Sequence, residues 1–258
     1  ALGGDQLQSM PTTAQAIVDR WAKKGVDFQP GEQWQYSNTG YVVAGLIAER
    51  VSGEPLLGFL QRRIFGPLGM TSVKNQDDTH TGAFPSGYGR YALGPVRPVT
   101  PPGRGWLYAA GELSMTSADL AKWNIARIGR ALVPADDWEA QETRVTLNDG
   151  KDSGYGLGVF VSADPRRAIT HGGESVGFLS ANNVYPDERT AVVVLTNSWS
   201  GDAENRIARE LATLILPPVG QDAVVTAQAG RARRVYDQLR SGRVGRSQLT
   251  QNANFYFP

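Results

Sequence analysis

Residues 31–55 read GEQWQYSNTGYVVAGLIAERVSGEP, and most of the reading grows from this stretch. From Asn38 onward Val42, Val43, Leu46, Ile47 and Val51 keep helical spacing, and Ser52-Gly53 supply a stop. Just ahead of this helix stand Tyr36, Ser37 and Asn38. A tyrosine before a helix is more often a packed aromatic than a reagent. With a reference pKa of about 10, a phenol needs cationic neighbours to act as a base at neutral pH. The Asn38 amide both donates and accepts, and it could equally serve as a helix cap.

On the N-terminal side, residues 12–24 suggest a short helix with Ala16, Ile17 and Trp21 on one face and Gly25 as its stop. On the other side, Leu56, Phe59, Leu60 and Ile64 mark a second helix closed by GPLG. Residues 71–112 are rich in Gly and Pro and carry little periodicity, which marks a functional loop more often than a plain connection. TSADLAKWNIARIG restarts a helix, with Thr116 or Ser117 as N-cap, Asp119 in the first turn, and Leu120, Trp123 and Ile128 facing inward.

After Gly154 the period changes. YGLGVFV, RAITH, GFLSANNVYP and TAVVVLTN read as strands, and the turn signal in YPDERTA makes the last two an antiparallel hairpin. AENRIARELATLIL follows as a helix expected to turn Ile207, Leu211 and Leu214 inward. Helices about 12–130 and then a sheet about 154–216 make an α+β plan, an antiparallel sheet flanked by helices plus a helical subdomain. Residues 1–216 form one domain in this reading. Residues 217–258 are a linker and C-terminal extension that could begin an appended domain; from 221 on they hold six Arg against Asp222 and Asp237. The excess of 6 − 2 = +4 is scattered, and a solvated face is a commoner meaning for it than an anionic partner.

Composition closes several routes. The 258 residues are 41% hydrophobic and 20% charged with a net charge of +1, so no nucleic-acid or membrane partner is called for. The chain has no cysteine, which excludes thiol catalysis, disulfides and zinc–thiolate sites. No membrane span, cofactor or metal is expected, and the N-terminus lacks the pattern of a signal peptide. Of the two histidines, His80 sits in a polar loop and reads as surface. His171 ends a strand and is followed by Gly172-Gly173, which lets a ligand or another backbone come close.

The segment PGEQWQYSNTGYVVAGLIAERVSGEPLLGFLQRRIFGPLGMTSV resembles the serine β-lactamase-like family of class C β-lactamases, DD-peptidases, D-aminopeptidases and related esterases. YAAGELSMTSADLAKW, YGLGVFV, HGGESVGF and TAVVVLTN match its later segments in order, over about residues 28–215. The resemblance implies an acyl-enzyme mechanism built from a Ser-x-x-Lys nucleophile, a Tyr-x-Asn motif and a Lys-Thr-Gly or His-x-Gly strand. Residue by residue it makes Tyr36 the general base and Asn38 the group that orients the substrate. His171 and Gly173 match the third motif, and the backbone N–H of Glu174 becomes an oxyanion donor. The substrate would be a small molecule or peptide, and the site periplasmic or extracellular. Histidine in place of lysine favours peptidase or esterase over β-lactamase, because it is largely neutral at pH 7.

The first motif is missing. No serine has a lysine three residues on; Thr71–Lys74 (TSVK) and Ser37 are poor substitutes. In the family the nucleophile precedes Tyr-x-Asn by tens of residues, and only 35 precede Tyr36. The reading is therefore a hydrolase whose N-terminal part is missing, its nucleophile segment belonging to the same parent protein, and a chain that is inactive alone. The alternatives are a non-catalytic binding or regulatory protein with this fold, or a separate chain that supplies Ser-x-x-Lys.

Overall fold

A computed structural model describes residues 8–80, 82–199, 201–218, 230, 232–238 and 240–242. The Arg-bearing extension expected beyond residue 220 lies largely outside the described residues.

Helix α1, Ala14–Trp21, is capped by Thr13, whose Oγ1 accepts the Ala16 N–H, and runs on as a 3-10 turn, Ala22–Lys24. Only Ile17 of the face shared with Ala16 and Trp21 is buried; Trp21 lies on the surface with its ring edge-on to Trp106 at 5.8 Å. Helix α2, Asn38–Ser52, ends where Gly53 takes the left-handed conformation (φ 74°). It packs through Val42 and Gly45, while Ile47 and Val51 of the same apolar spacing stay exposed. The glycine decides this: a Cβ at position 45 would collide with Ala109, so the helix lies down on its smallest residue. Helix α3, Leu56–Leu60, continues as a π turn, Gln61–Phe65.

In and just after the irregular stretch lie two 3-10 turns, Gln76–Asp78 and Tyr108–Ala110, and four two-residue strands: β1 (Lys74–Asn75), β2 (Tyr88–Gly89), β3 (Arg97–Pro98) and β4 (Leu113–Ser114). β1 pairs with β4, and β2 with β3. Helix α4, Ser117–Ile128, is capped by Thr116. Its Asp119 accepts the Ser72 N–H and O–H, which spends the TSVK serine on structure. Helix α5, Ala135–Glu142, was not anticipated, since its charged run offers only Trp138 and Glu142 to the interior.

The main sheet has the order β5–β6–β7–β8: Phe160–Ser162, Ala168–Ser175, Phe178–Tyr185 and Thr190–Thr196, all antiparallel. YGLGVFV is therefore a strand only from Phe160; before it, Gly154 and Gly158 have positive φ and the chain turns. β6 in turn runs on through HGGES to Ser175. Short β9, Ser198–Trp199, runs parallel to β2 and fastens the long loop to the sheet. At the same place a Cβ on Gly177 (φ 87°) would stand 2.5 Å from the Gly87 Cα, so two bare backbones cross there.

Side-chain alternation divides the sheet faces. Ala181, Val192 and Val194 meet helix α6, Ala203–Ile215, through Ala208 and Ala212. Ile169 and Val184 face α4 with Val159 and Ile128. The orientation of α6 is opposite to expectation: Ile207, Leu211 and Leu214 point outward. Small alanines let the helix backbone approach the sheet closely, and the larger residues are left as an apolar stripe. Among the described residues β8 has no strand on its outer side.

Candidate active site

Tyr36 is the last residue before the α2 cap. Ser37 takes extended backbone angles and its Oγ accepts the Gly40 N–H at 3.0 Å, so Ser37 is the cap and Asn38 is left exposed on the first turn. His171 arrives from the middle of β6, opposite Asn182 on β7. The two elements bring the Tyr36 and His171 rings to 5.9 Å between centroids. Gly173 follows on the same face of the strand. A side chain there would meet Ser180 Oγ at 2.5 Å, so the surface beyond the imidazole is kept bare. Glu174 falls on the other face, where its Oε1 accepts from Trp199 Nε1 at 2.6 Å; only its backbone borders the His171 side.

β5 covers β6 only as far as Thr170. From His171 to Ser175, the β6 edge turned away from β7 carries no strand among the described residues. An extended chain fits such an edge.

Tyr155 is part of the site and was not singled out in the sequence. Its hydroxyl lies 3.0 Å from His171 Nε2, and its ring is 6.1 Å from Tyr36. His171 Nδ1 lies against the Gly172 carbonyl, a pure acceptor, so Nδ1 carries the proton. In the neutral ring Nε2 then accepts from the Tyr155 O–H. Trp34 and Phe160 pack on Tyr155 and close the aromatic cluster. The signal in the sequence was the alternating Gly154, Gly156 and Gly158, which break a strand and free the tyrosine between them.

Both phenols are held protonated. Burial, and then Tyr41 beside it, raise the pKa of Tyr36. Burial raises Tyr155 strongly as well, helped by a hydrogen bond with Tyr41. Neither tyrosine has a cation among the groups that set its titration.

Behind His171 lies a cavity of about 300 Å³ between α4 and the sheet. Leu120, Trp123, Leu157, Val159 and Val184 make its walls largely apolar, and Arg127 and Gln141 add polar edges. Asn124, fully buried, exchanges amide hydrogen bonds of 2.6 and 3.2 Å with Asn182 and locks α4 to the strand opposite His171. His80 is exposed in the long loop. Among the described residues no group of His, Asp or Glu could hold a metal ion.

The far end of β6 rests on a buried polar node. Ser175 Oγ donates to Gln76 Oε1, the Gln76 N–H donates to the Glu112 carbonyl, and the Glu112 carboxylate accepts from Asn75. Burial, reinforced by the field of Asp77, raises the Glu112 pKa despite the Asn75 hydrogen bond. Its protonated form is thus bound more tightly in the folded state, and stability falls as pH rises from 4.5 through the raised value. Glu112→Gln is expected to be more stable than the parent at pH 7. The gap between their urea midpoints should close as pH is lowered towards 4.5. A gap independent of pH would contradict this.

A model of the beta-lactamase family matches residues 2–216. A D-aminopeptidase of Brucella anthropi is 26% identical over 228 residues, 85% of this chain and 42% of that protein. A D-stereospecific amidohydrolase from Streptomyces superposes with a TM-score of 0.68 at 27% identity, covering 81% of this chain and 63% of that one. The octameric penicillin-binding protein homologue from Pyrococcus abyssi gives 0.67 at 26% identity, over 79% and 48% of the two chains. The chain spans 36–46% of the length of the curated relatives that it matches over most of its own.

Proposed function

Because the chain belongs to the beta-lactamase family, we propose that it is part of a serine hydrolase that forms an acyl-enzyme on D-amino-acid amides, peptides or esters. The observation that carries this is the meeting of Tyr36 and His171 at 5.9 Å beside a bare strand edge and an apolar cavity. Tyr36 acts as general base and Asn38 orients the substrate. The extended substrate lies along β6 beside Gly173, and the N–H of Glu174 donates to the developing oxyanion. The Tyr155 hydroxyl holds the His171 ring in place through Nε2.

The nucleophilic serine belongs to a Ser-x-x-Lys segment of the parent protein that these 258 residues do not contain. Two features support that reading. The cavity walls suit an apolar helix rather than a polar substrate, and the protonated Tyr36 needs a cation within roughly 4–6 Å to become a base. The open β8 edge and the outward stripe of α6 suit further elements of the same parent. By this reading the 258-residue chain is inactive alone, and the parent works in the periplasm or outside the cell.

A histidine on β6, where relatives of this family carry either lysine or histidine, favours amides and esters over β-lactams, whose carboxylate a fixed lysine cation would bind. The test is turnover by the parent protein of a D-amino-acid anilide, a chromogenic ester and a chromogenic β-lactam side by side. Ester and anilide turnover well above β-lactam turnover is expected. A folded parent that turns over none of them would replace catalysis by the binding reading. Turnover by the 258-residue chain alone would overturn the missing nucleophile.

A further inference from the structure

Residues 79–111 contain Arg90, Arg97 and Arg104 and not one Asp or Glu. Arg104 is tied to Asp78 and to the Asp77 carbonyl. Arg90 and Arg97 are exposed at the base of the β2–β3 hairpin, with no ion pair among the described residues. Between them the tip is apolar and almost wholly in solvent: Tyr91 is 93% exposed, Leu93 98% and Val96 47%.

The tip is built to stand out. Gly94 N–H donates to the Tyr91 carbonyl at 3.0 Å, and Ala92 adopts the left-handed region at φ 50°, which closes a tight turn. Below it the hairpin is braced three times, by β3, by parallel β9 and by the crossing of Gly87 over Gly177. A convex tip offers no concavity for a small molecule. Apolar side chains at the apex with cations at the base match a surface that is apolar inside and anionic outside. Tyrosine suits the boundary between them, and arginine suits phosphate. No described helix is long and apolar enough to cross a membrane.

We propose that the 90–97 hairpin docks on an anionic lipid bilayer, Tyr91 and Leu93 entering the headgroup boundary while Arg90 and Arg97 pair with lipid phosphates. Two apolar side chains alone anchor weakly, so both signals are needed. The pairing also places the docked tip in continuity, through β9, with the Trp199–Glu174 contact at the end of β6.

The experiment is co-sedimentation of the 258-residue chain with vesicles of equimolar phosphatidylglycerol and phosphatidylcholine, and with phosphatidylcholine alone. Binding to the anionic vesicles is expected to be about 30-fold stronger, the effect of two basic side chains at such a surface, and to weaken with salt. Leu93→Asp should bring anionic binding down to the neutral-vesicle level. The double change Arg90→Gln and Arg97→Gln should remove the salt dependence. Val51→Asp, at an apolar position of α2 that is 82% exposed, is the control and should change nothing. A Leu93→Trp variant should shift its emission to the blue on anionic vesicles. The proposal is overturned by equal binding to both vesicles, by no binding to either, by Leu93→Asp binding unchanged, or by Val51→Asp losing as much.

Discussion

Tyr36→Phe in the parent protein lowers kcat on a chromogenic ester or D-amino-acid anilide by about 10²–10⁴-fold, the range a positioned general base contributes. KM changes little by comparison. The phenylalanine keeps the ring contacts with Tyr155 at 6.1 Å and His171 at 5.9 Å, so only the hydroxyl is lost. The variant should also lose the limb of the pH–rate profile in which activity rises with deprotonation of the phenol. Burial and Tyr41 act against that deprotonation, and a lysine from the Ser-x-x-Lys segment is the group that would reverse it. Undiminished kcat in Tyr36→Phe removes the mechanism. A fall in kcat with an unchanged pH limb assigns Tyr36 to packing instead.

The second large effect is on stability. The Glu142 carboxylate is 2% exposed and holds three guanidinium groups: Arg127 at 3.1 Å, Arg130 at 2.7 Å and Arg167 at 2.8 Å. Arg127 is itself only 4% exposed and lies 4.9 Å from the Trp138 ring. Glu142→Gln removes the only anion from this node among the described residues apart from Asp187, which stands 3.7 Å from Arg167. Breaking a buried pair on one side costs about 3–5 kcal/mol, because the charge left behind is uncompensated. The comparison is Asp149→Asn, which breaks the solvent-exposed Lys151 pair and should move stability far less. Urea unfolding of the two variants measures the contrast. The double change Glu142→Leu with Arg127→Met should recover much of the loss, since it removes charge on both sides. Equal midpoints for Glu142→Gln and Asp149→Asn would contradict the account.

The helices and the hairpin were legible because local signals and tertiary packing agree in them. Gly53 stops α2 where a left-handed residue is needed, and YPDERTA turns β7 into β8. The approach of Tyr36 to His171 was legible only through motif order, since no local rule joins residues 135 positions apart. What failed were choices of face. Helical spacing marks an apolar stripe, but it does not say whether the sheet takes the stripe or the small residues beside it. In α6 the sheet took Ala208 and Ala212 in place of Ile207, Leu211 and Leu214. Helix α5 was invisible for the opposite reason: its buried residues include a glutamate, which reads as surface until its arginines are known. Tyr155 was hidden by an alternation that imitates a strand, while the intervening glycines in fact turn the chain.

The outer rim of β8 has a practical consequence. TAVVVLT is seven residues with no charge and no proline, and one whole row of its amides and carbonyls faces away from the sheet. Such a rim is a template for its own kind, able to recruit identical segments into a growing cross-β stack. Preparations of this chain should therefore cloud and seed as they are concentrated. A lysine placed at the middle of that rim would act as a gatekeeper.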